Sequence, residues 1–188
     1  MKILDVVCSA GRTGFYFDDQ RAIKKGAGHD GVFYTGEPVT EGFASVRQAG
    51  ESISVMLVLE DGQIAYGDCA AVQYSGAGGR DPLFLAKDFI PLIDKYIKPE
   101  LVGQEADSFR ALAKKLEDIQ IDGKRLHTAI RYGVSQALLD AVAKASGRLM
   151  WNSTTFIRCK KCIGSTFIRC KKCISNTFFR CKKCKRVI

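Results

Sequence analysis

The side chains of this 188-residue chain best suited to metal binding or nucleophilic chemistry are eight cysteines and two histidines. Six cysteines form three Cys-x-x-Cys pairs, Cys159/Cys162, Cys170/Cys173 and Cys181/Cys184, one in each near-copy of an eleven-residue unit over 153–185. Two such pairs supply four thiolates, enough for a tetrahedral Zn2+ site. The lysines between the thiols favour the thiolate form. The seven residues between successive pairs are fewer than a zinc ribbon uses. The tail 151–188 sets Phe156, Phe167, Phe178 and Phe179 among eleven Lys and Arg. That composition can hold nucleic acid by phosphate contact and stacking. Against both readings stands the near-identity of the copies and their abrupt start after Met150. The expectation is therefore a segment that is not a native domain, produced by a frame shift into repetitive DNA or by truncation of a gene. Tail zinc stands behind that reading, and nucleic acid behind zinc.

The second candidate is the stretch 67–82, Gly-Asp-Cys-Ala-Ala-Val-Gln-Tyr-Ser-Gly-Ala-Gly-Gly-Arg-Asp-Pro. Gly76, Gly78 and Gly79 ahead of a helix could cradle a phosphate. The stretch lacks the Lys-Ser/Thr of a P-loop and the dinucleotide fingerprint. A hinge for a capping loop explains the glycines better. Asp81 is expected to N-cap the next helix and Pro82 to take its first position. His29 reads as a solvated loop residue. His127 reads as a packing or hydrogen-bonding residue at a helix end. Cys8 and Cys69 occupy apolar, strand-like positions and are expected to be reduced and buried.

These candidates need elements to position them. Alternation of Ile53, Val55, Leu57 and Leu59 marks a strand. Asp61-Gly62 turns it back, so that 52–71 forms a hairpin. Met56 and Val58 face the other way, so something should cover that side too. Residues 1–8 read as a further strand, bounded by Ser9-Ala10-Gly11. A long loop over 14–31 follows, with a short helical turn near 20–25. Helices are expected over 81–97, 107–119 and 127–145. Their stripes are Leu85/Phe89/Leu92/Tyr96, Phe109/Leu112/Ala113/Leu116 and Ile130/Val134/Leu138/Ala141. Pro91 should bend the first helix, and Lys98-Pro99 should end it. The fold class is α+β, a three-stranded antiparallel meander followed by a helical bundle. The tail is expected to be irregular.

Charge divides the chain in the same place. Residues 151–188 carry eleven basic and no acidic side chains, so the net +9 belongs to the tail and the body is slightly acidic. No signal peptide opens the chain and no stretch is apolar enough to span a bilayer, so the cytoplasm is expected.

The meander, followed by a helix carrying Ala129, Ala137, Asp140 and Lys144, resembles the N-terminal capping domain of the enolase superfamily. Three stretches are similar in detail to the methylaspartate ammonia-lyase family. They are Gly14-Phe-Tyr-Phe-Asp-Asp-Gln-Arg-Ala-Ile-Lys-Lys-Gly-Ala-Gly-His-Asp-Gly, 67–91, and Arg125-Leu-His-Thr-Ala-Ile-Arg-Tyr-Gly. The resemblance covers residues 1–150. It implies reversible elimination of ammonia from 3-methylaspartate to mesaconate in glutamate fermentation, by a cytoplasmic homodimer using Mg2+ with K+ as activator. It implies that a lysine, a histidine and three acidic metal ligands sit on a C-terminal β/α barrel. No residue in 1–150 matches any of these groups. One position carries over to the pocket, Gln73, which the resemblance places beside the bound amino acid. Tyr74 is expected to pack against the barrel. The expectation is a capping domain, 1–150, inactive without a barrel partner, followed by the tail, 151–188. The alternative is a non-enzymatic interaction module whose tail binds zinc or polyanions.

Overall fold

The computed structural model describes residues 1–71 and 81–148. The central sheet has three antiparallel strands in the order β1 (Ile3–Asp18), β4 (Arg47–Leu59) and β5 (Ile64–Ala70). Between β1 and β4 lie α1 (Gln20–Lys24) and a small hairpin of β2 (Gly28–Asp30) and β3 (Phe33–Thr35). After β5 come α2 (Ala86–Leu92), a π-helical turn (Ile93–Ile97) and α3 (Lys98–Leu101). Then come α4 (Phe109–Asp118), a hairpin of β6 (Gln120–Ile121) and β7 (Lys124–Arg125), and α5 (Thr128–Ala145).

The 52–71 hairpin forms as its alternation requires. Ile53, Val55, Leu57 and Leu59 are fully buried, each contributing about 2 kcal/mol of apolar transfer. Gly62 turns the chain at φ +84°, a conformation glycine reaches without a Cβ penalty. Met56 and Val58 on the other face are half-buried. α5 lies on β5 and β4, and α2 and α3 lie against β1. The α5 stripe of Ile130, Val134, Leu138 and Ala141 is buried, as are Leu112 and Leu116 of α4.

α5 can sit this close to β5 because both backbones carry glycine at the contact. A Cβ at Gly67 would stand 2.6 Å from Ala137 N, and one at Gly133 would stand 2.5 Å from Cys69 Sγ. The free edge of β5 is closed by side chains of the same helix. Asp140 Oδ2 accepts from Tyr66 N at 3.0 Å, and Lys144 Nζ donates to Ile64 O at 2.7 Å. The two side chains also pair with each other at 2.7 Å.

Three expectations change. β1 does not stop at Ser9-Ala10-Gly11 but runs to Asp18. β4 starts at Arg47 and offers a partner along that whole length, from Ile3↔Leu59 to Asp18↔Arg47, with irregularities between Ile3 and Asp5 and between Arg12 and Tyr16. The helix expected over 81–97 starts at Ala86 instead, with Leu85 at its cap and no side-chain cap bond. Glu51 on β4 accepts from Ala86 N at 2.6 Å and does that work from across the fold. Nor does Lys98-Pro99 end it. Pro99 lies at the start of α3, directly after the π-helical turn, and helix continues to Leu101.

Candidate functional site

The site is built on the two described stems of the 67–82 stretch. The first stem is β5, held flat by α5 through the paired glycines. The second is the strap 81–85, without regular secondary structure, which packs on the N-terminus of α5. Asp81 does not cap the helix that follows it. Its Oδ2 accepts from Thr128 N at 3.3 Å, so the carboxylate serves the first turn of α5, an acceptor 47 residues away in sequence. Pro82 lies ahead of the helix rather than in it, and its carbonyl lies 3.1 Å from His127 Nε2.

His127 is the pivot of this stem. It is 5% exposed, and its ring sits 5.0 Å from both Phe84 and Phe89, which stack on each other at 4.9 Å. Its Nδ1 accepts from Ala129 N at 3.0 Å. An amide nitrogen can only donate, so Nδ1 is unprotonated and the ring proton is on Nε2, aimed at Pro82 O. Burial lowers the imidazole pKa, against smaller opposing effects of Pro82 and Asp81. His127 is thus an N-cap and a strut, in keeping with a helix-end role.

A second polar hub holds the segment between β1 and β4. Asp19 is 1% exposed. Its carboxylate accepts from the amides of Arg21, Ala22, Val39 and Thr40 and from the Thr40 hydroxyl at 2.6–3.3 Å. Burial alone would raise its pKa, but the Thr40 hydroxyl and the amides outweigh that and hold it at about 2. Next to it, Arg47 Nε pairs with Asp18 at 2.6 Å and Nη1 donates to Val32 O. The guanidinium lies 4.7 Å from the Tyr34 ring and 5.4 Å from that of Tyr16. His29 is exposed on β2 opposite Tyr34. Sequence reasoning singled out none of Asp19, Arg47 and Glu51. Only Asp19 carried a local signal, an acidic residue directly ahead of a short helix.

Cys8 is half-buried and Cys69 is buried, both as free thiols. Burial pushes them up to about 11 and about 12, which leaves neither with the thiolate character of a nucleophile. Gln73, Tyr74 and the glycines Gly76, Gly78 and Gly79 lie outside the described residues, as do Cys159, Cys162, Cys170, Cys173, Cys181 and Cys184. Among the described residues no three His, Cys, Asp or Glu side chains come together to hold a metal ion. They do not fit the Mg2+ that the resemblance implies. Also among the described residues, no helix is long and apolar enough to cross a membrane.

The chain is 72% identical over 144 residues to methylaspartate ammonia-lyase of Clostridium tetanomorphum, covering 77% of this chain and 35% of that protein. Among solved structures, it matches the Mg complex of β-methylaspartase from Clostridium tetanomorphum at 68% identity and a TM-score of 0.79. That match covers 81% of this chain and 37% of the other. It matches the Citrobacter amalonaticus enzyme containing (2S,3S)-3-methylaspartic acid at 63% identity and a TM-score of 0.78, with the same coverage. The chain spans about a third of the length of the curated relatives it matches. The family model for the methylaspartate ammonia-lyase N-terminus matches residues 1–154. The α+β body is therefore of the kind found in solved methylaspartate ammonia-lyases, and the chain belongs to the methylaspartate ammonia-lyase N-terminal family.

Proposed function

We propose that residues 1–150 form the capping half of a methylaspartate ammonia-lyase, and that the 67–82 stretch brings Gln73 to the substrate amino acid. The observation that carries this reading is the family match over residues 1–154. In this reading the catalytic bases and the ligands for Mg2+, together with activation by K+, belong to a barrel in the part of the relatives that this chain does not span. What this chain's residues contribute is position. β5 and the strap hold the two ends of the stretch against α5, so that a side-chain amide at Gln73 can hydrogen-bond the substrate amine or carboxylate. Fixed polar groups of that kind act by orienting the substrate and by complementing charge as it develops. The assembly is a cytoplasmic homodimer in which the capping half folds over the barrel, and its product is mesaconate.

The test is complementation. The 188-residue chain is mixed with a separately produced C-terminal two thirds of the Clostridium tetanomorphum enzyme, with Mg2+ and K+, and conjugated product is followed by ultraviolet absorbance. Neither piece should turn over 3-methylaspartate alone, and the mixture should. Gln73→Ala should lower the turnover of the mixture roughly a hundredfold, the order found for loss of one positioned polar group. Turnover by the 188-residue chain alone would overturn the reading, and so would a mixture that associates but stays inactive.

A further inference from the structure

The strap and the cap of α5 share one imidazole, and that arrangement has a consequence beyond catalysis. His127 joins two elements through opposite hydrogen-bonding roles: Nδ1 accepts from Ala129 N at 3.0 Å, and Nε2 faces Pro82 O at 3.1 Å. A second proton on the ring must go to Nδ1. There it would face the Ala129 N–H, donor against donor. It would also place a cation at the N-terminus of an 18-residue helix, the end that favours negative charge. The ring has no slack in which to turn, because Phe84 of the strap and Phe89 of α2 close on it at 5.0 Å each. Asp81 of the strap is the charged side chain acting on it; with Pro82 O it favours the charged ring, but burial outweighs both, and the carboxylate is already engaged with Thr128 N. Phe84 and Phe89 bring no charge.

We propose that His127 is a proton-operated latch on the first turn of α5: neutral, it holds Ala129 N and Pro82 O together, and protonated, it lets go of Ala129 and frees the first turn of α5, while Nε2–H keeps its hold on Pro82 O. This stands on the described hydrogen bonds and not on the lyase reading. Burial supplies the sense of the switch, since it disfavours the charged ring and keeps the latch closed at neutral pH.

The experiment uses the full chain labelled with 15N. Imidazole spectra at neutral pH should show the Nε2–H tautomer of His127. Amide exchange at Thr128 and Ala129, corrected for intrinsic rates, is then followed from about pH 8 to about pH 5 across the imidazole range. Protection should fall roughly five- to tenfold in acid, the factor that one net intramolecular hydrogen bond is worth. Amides in the middle of β4 should hold steady. His127→Asn keeps a capping acceptor that does not titrate, and its Ala129 amide should lose the acid step. An Nδ1–H tautomer in the wild type overturns the proposal without any variant. So does unchanged protection in acid, or the same acid step in His127→Asn.

Discussion

Replacing Gly133 by alanine sets two opposed effects against each other, and the geometry decides between them. An alanine in the middle of α5 gains about 1 kcal/mol of helix propensity over glycine. Its Cβ, however, would stand 2.5 Å from Cys69 Sγ and 2.6 Å from Asp68 C, where real Cβ contacts begin near 3.4 Å. α5 and β5 must then part by about 1 Å. A gap of that size forfeits about a quarter to a half of the dispersion between facing atoms. Those atoms belong to Ala65, Cys69, Val134, Ala137 and Leu138, all fully buried in the core. Overpacking of this kind costs up to about 3 kcal/mol, which leaves a net loss of about 2 kcal/mol after the propensity gain. For a chain of this size the midpoint of thermal unfolding should fall by about 4–8 °C. Far-UV circular dichroism during heating and urea unfolding reads the change. A second variant separates packing from propensity. Gly67→Ala sits on the strand, gains no helix propensity and meets the backbone of Ala137 at 2.6 Å. It should destabilise by more than Gly133→Ala, and Ala137→Gly should not rescue it. Stability unchanged or raised in Gly133→Ala would refute the close-approach argument.

Two other perturbations probe the remaining supports. Asp19→Ala strips five donors of their acceptor and should cost about 2 kcal/mol, read by urea unfolding at neutral pH. Because the folded carboxyl is held at about 2, below its ordinary value of about 4, its contribution is present above about pH 4. It disappears as pH falls toward about 2, and acid unfolding of Asp19→Ala should lack that increment. Removing both Asp140 and Lys144 uncovers Tyr66 N and Ile64 O on the edge of β5. The double alanine variant should lose about 1–2 kcal/mol and should self-associate more than the wild type on size-exclusion chromatography. A variant as monodisperse as the wild type would show that the edge needs no cover.

The core was the most legible part of the sequence, because burial follows periodicity. Ile53 to Leu59 and Ile130 to Ala141 announce their faces through spacing alone, and both faces are buried. Where chemistry is supplied from a distance, local reading went astray. Asp81 has the type and position of an N-cap for the helix after it, yet it caps Thr128, and the helix after it takes its acceptor from Glu51. Nothing in the local chain distinguishes those two outcomes, since either one satisfies an orphan amide at a helix N-terminus. The continuation of β1 through Ser9 to Asp18 was equally hidden, because small and polar residues become strand only when β4 offers a partner. The Asp122-Gly123 turn of the β6/β7 hairpin carries a plain signal, an Asp-Gly pair, and both residues take positive φ. His127 was placed correctly as a helix-end residue, but its bond to the strap depends on a contact 45 residues away.

The closure of the β5 edge by α5 also sets an order of events during synthesis. All three strands of the sheet have been made once Ala70 is added, but Asp140 and Lys144 come about 70 residues later. At ribosomal rates of about 5–20 residues per second, the sheet spends several seconds with an open hydrogen-bonding edge and no helix over Gly67. A nascent chain in that interval presents a strand template to any neighbour on the same message. The last helix is therefore the protection of the growing chain as well as part of its core, and a pause in translation before residue 128 lengthens the exposure in direct proportion.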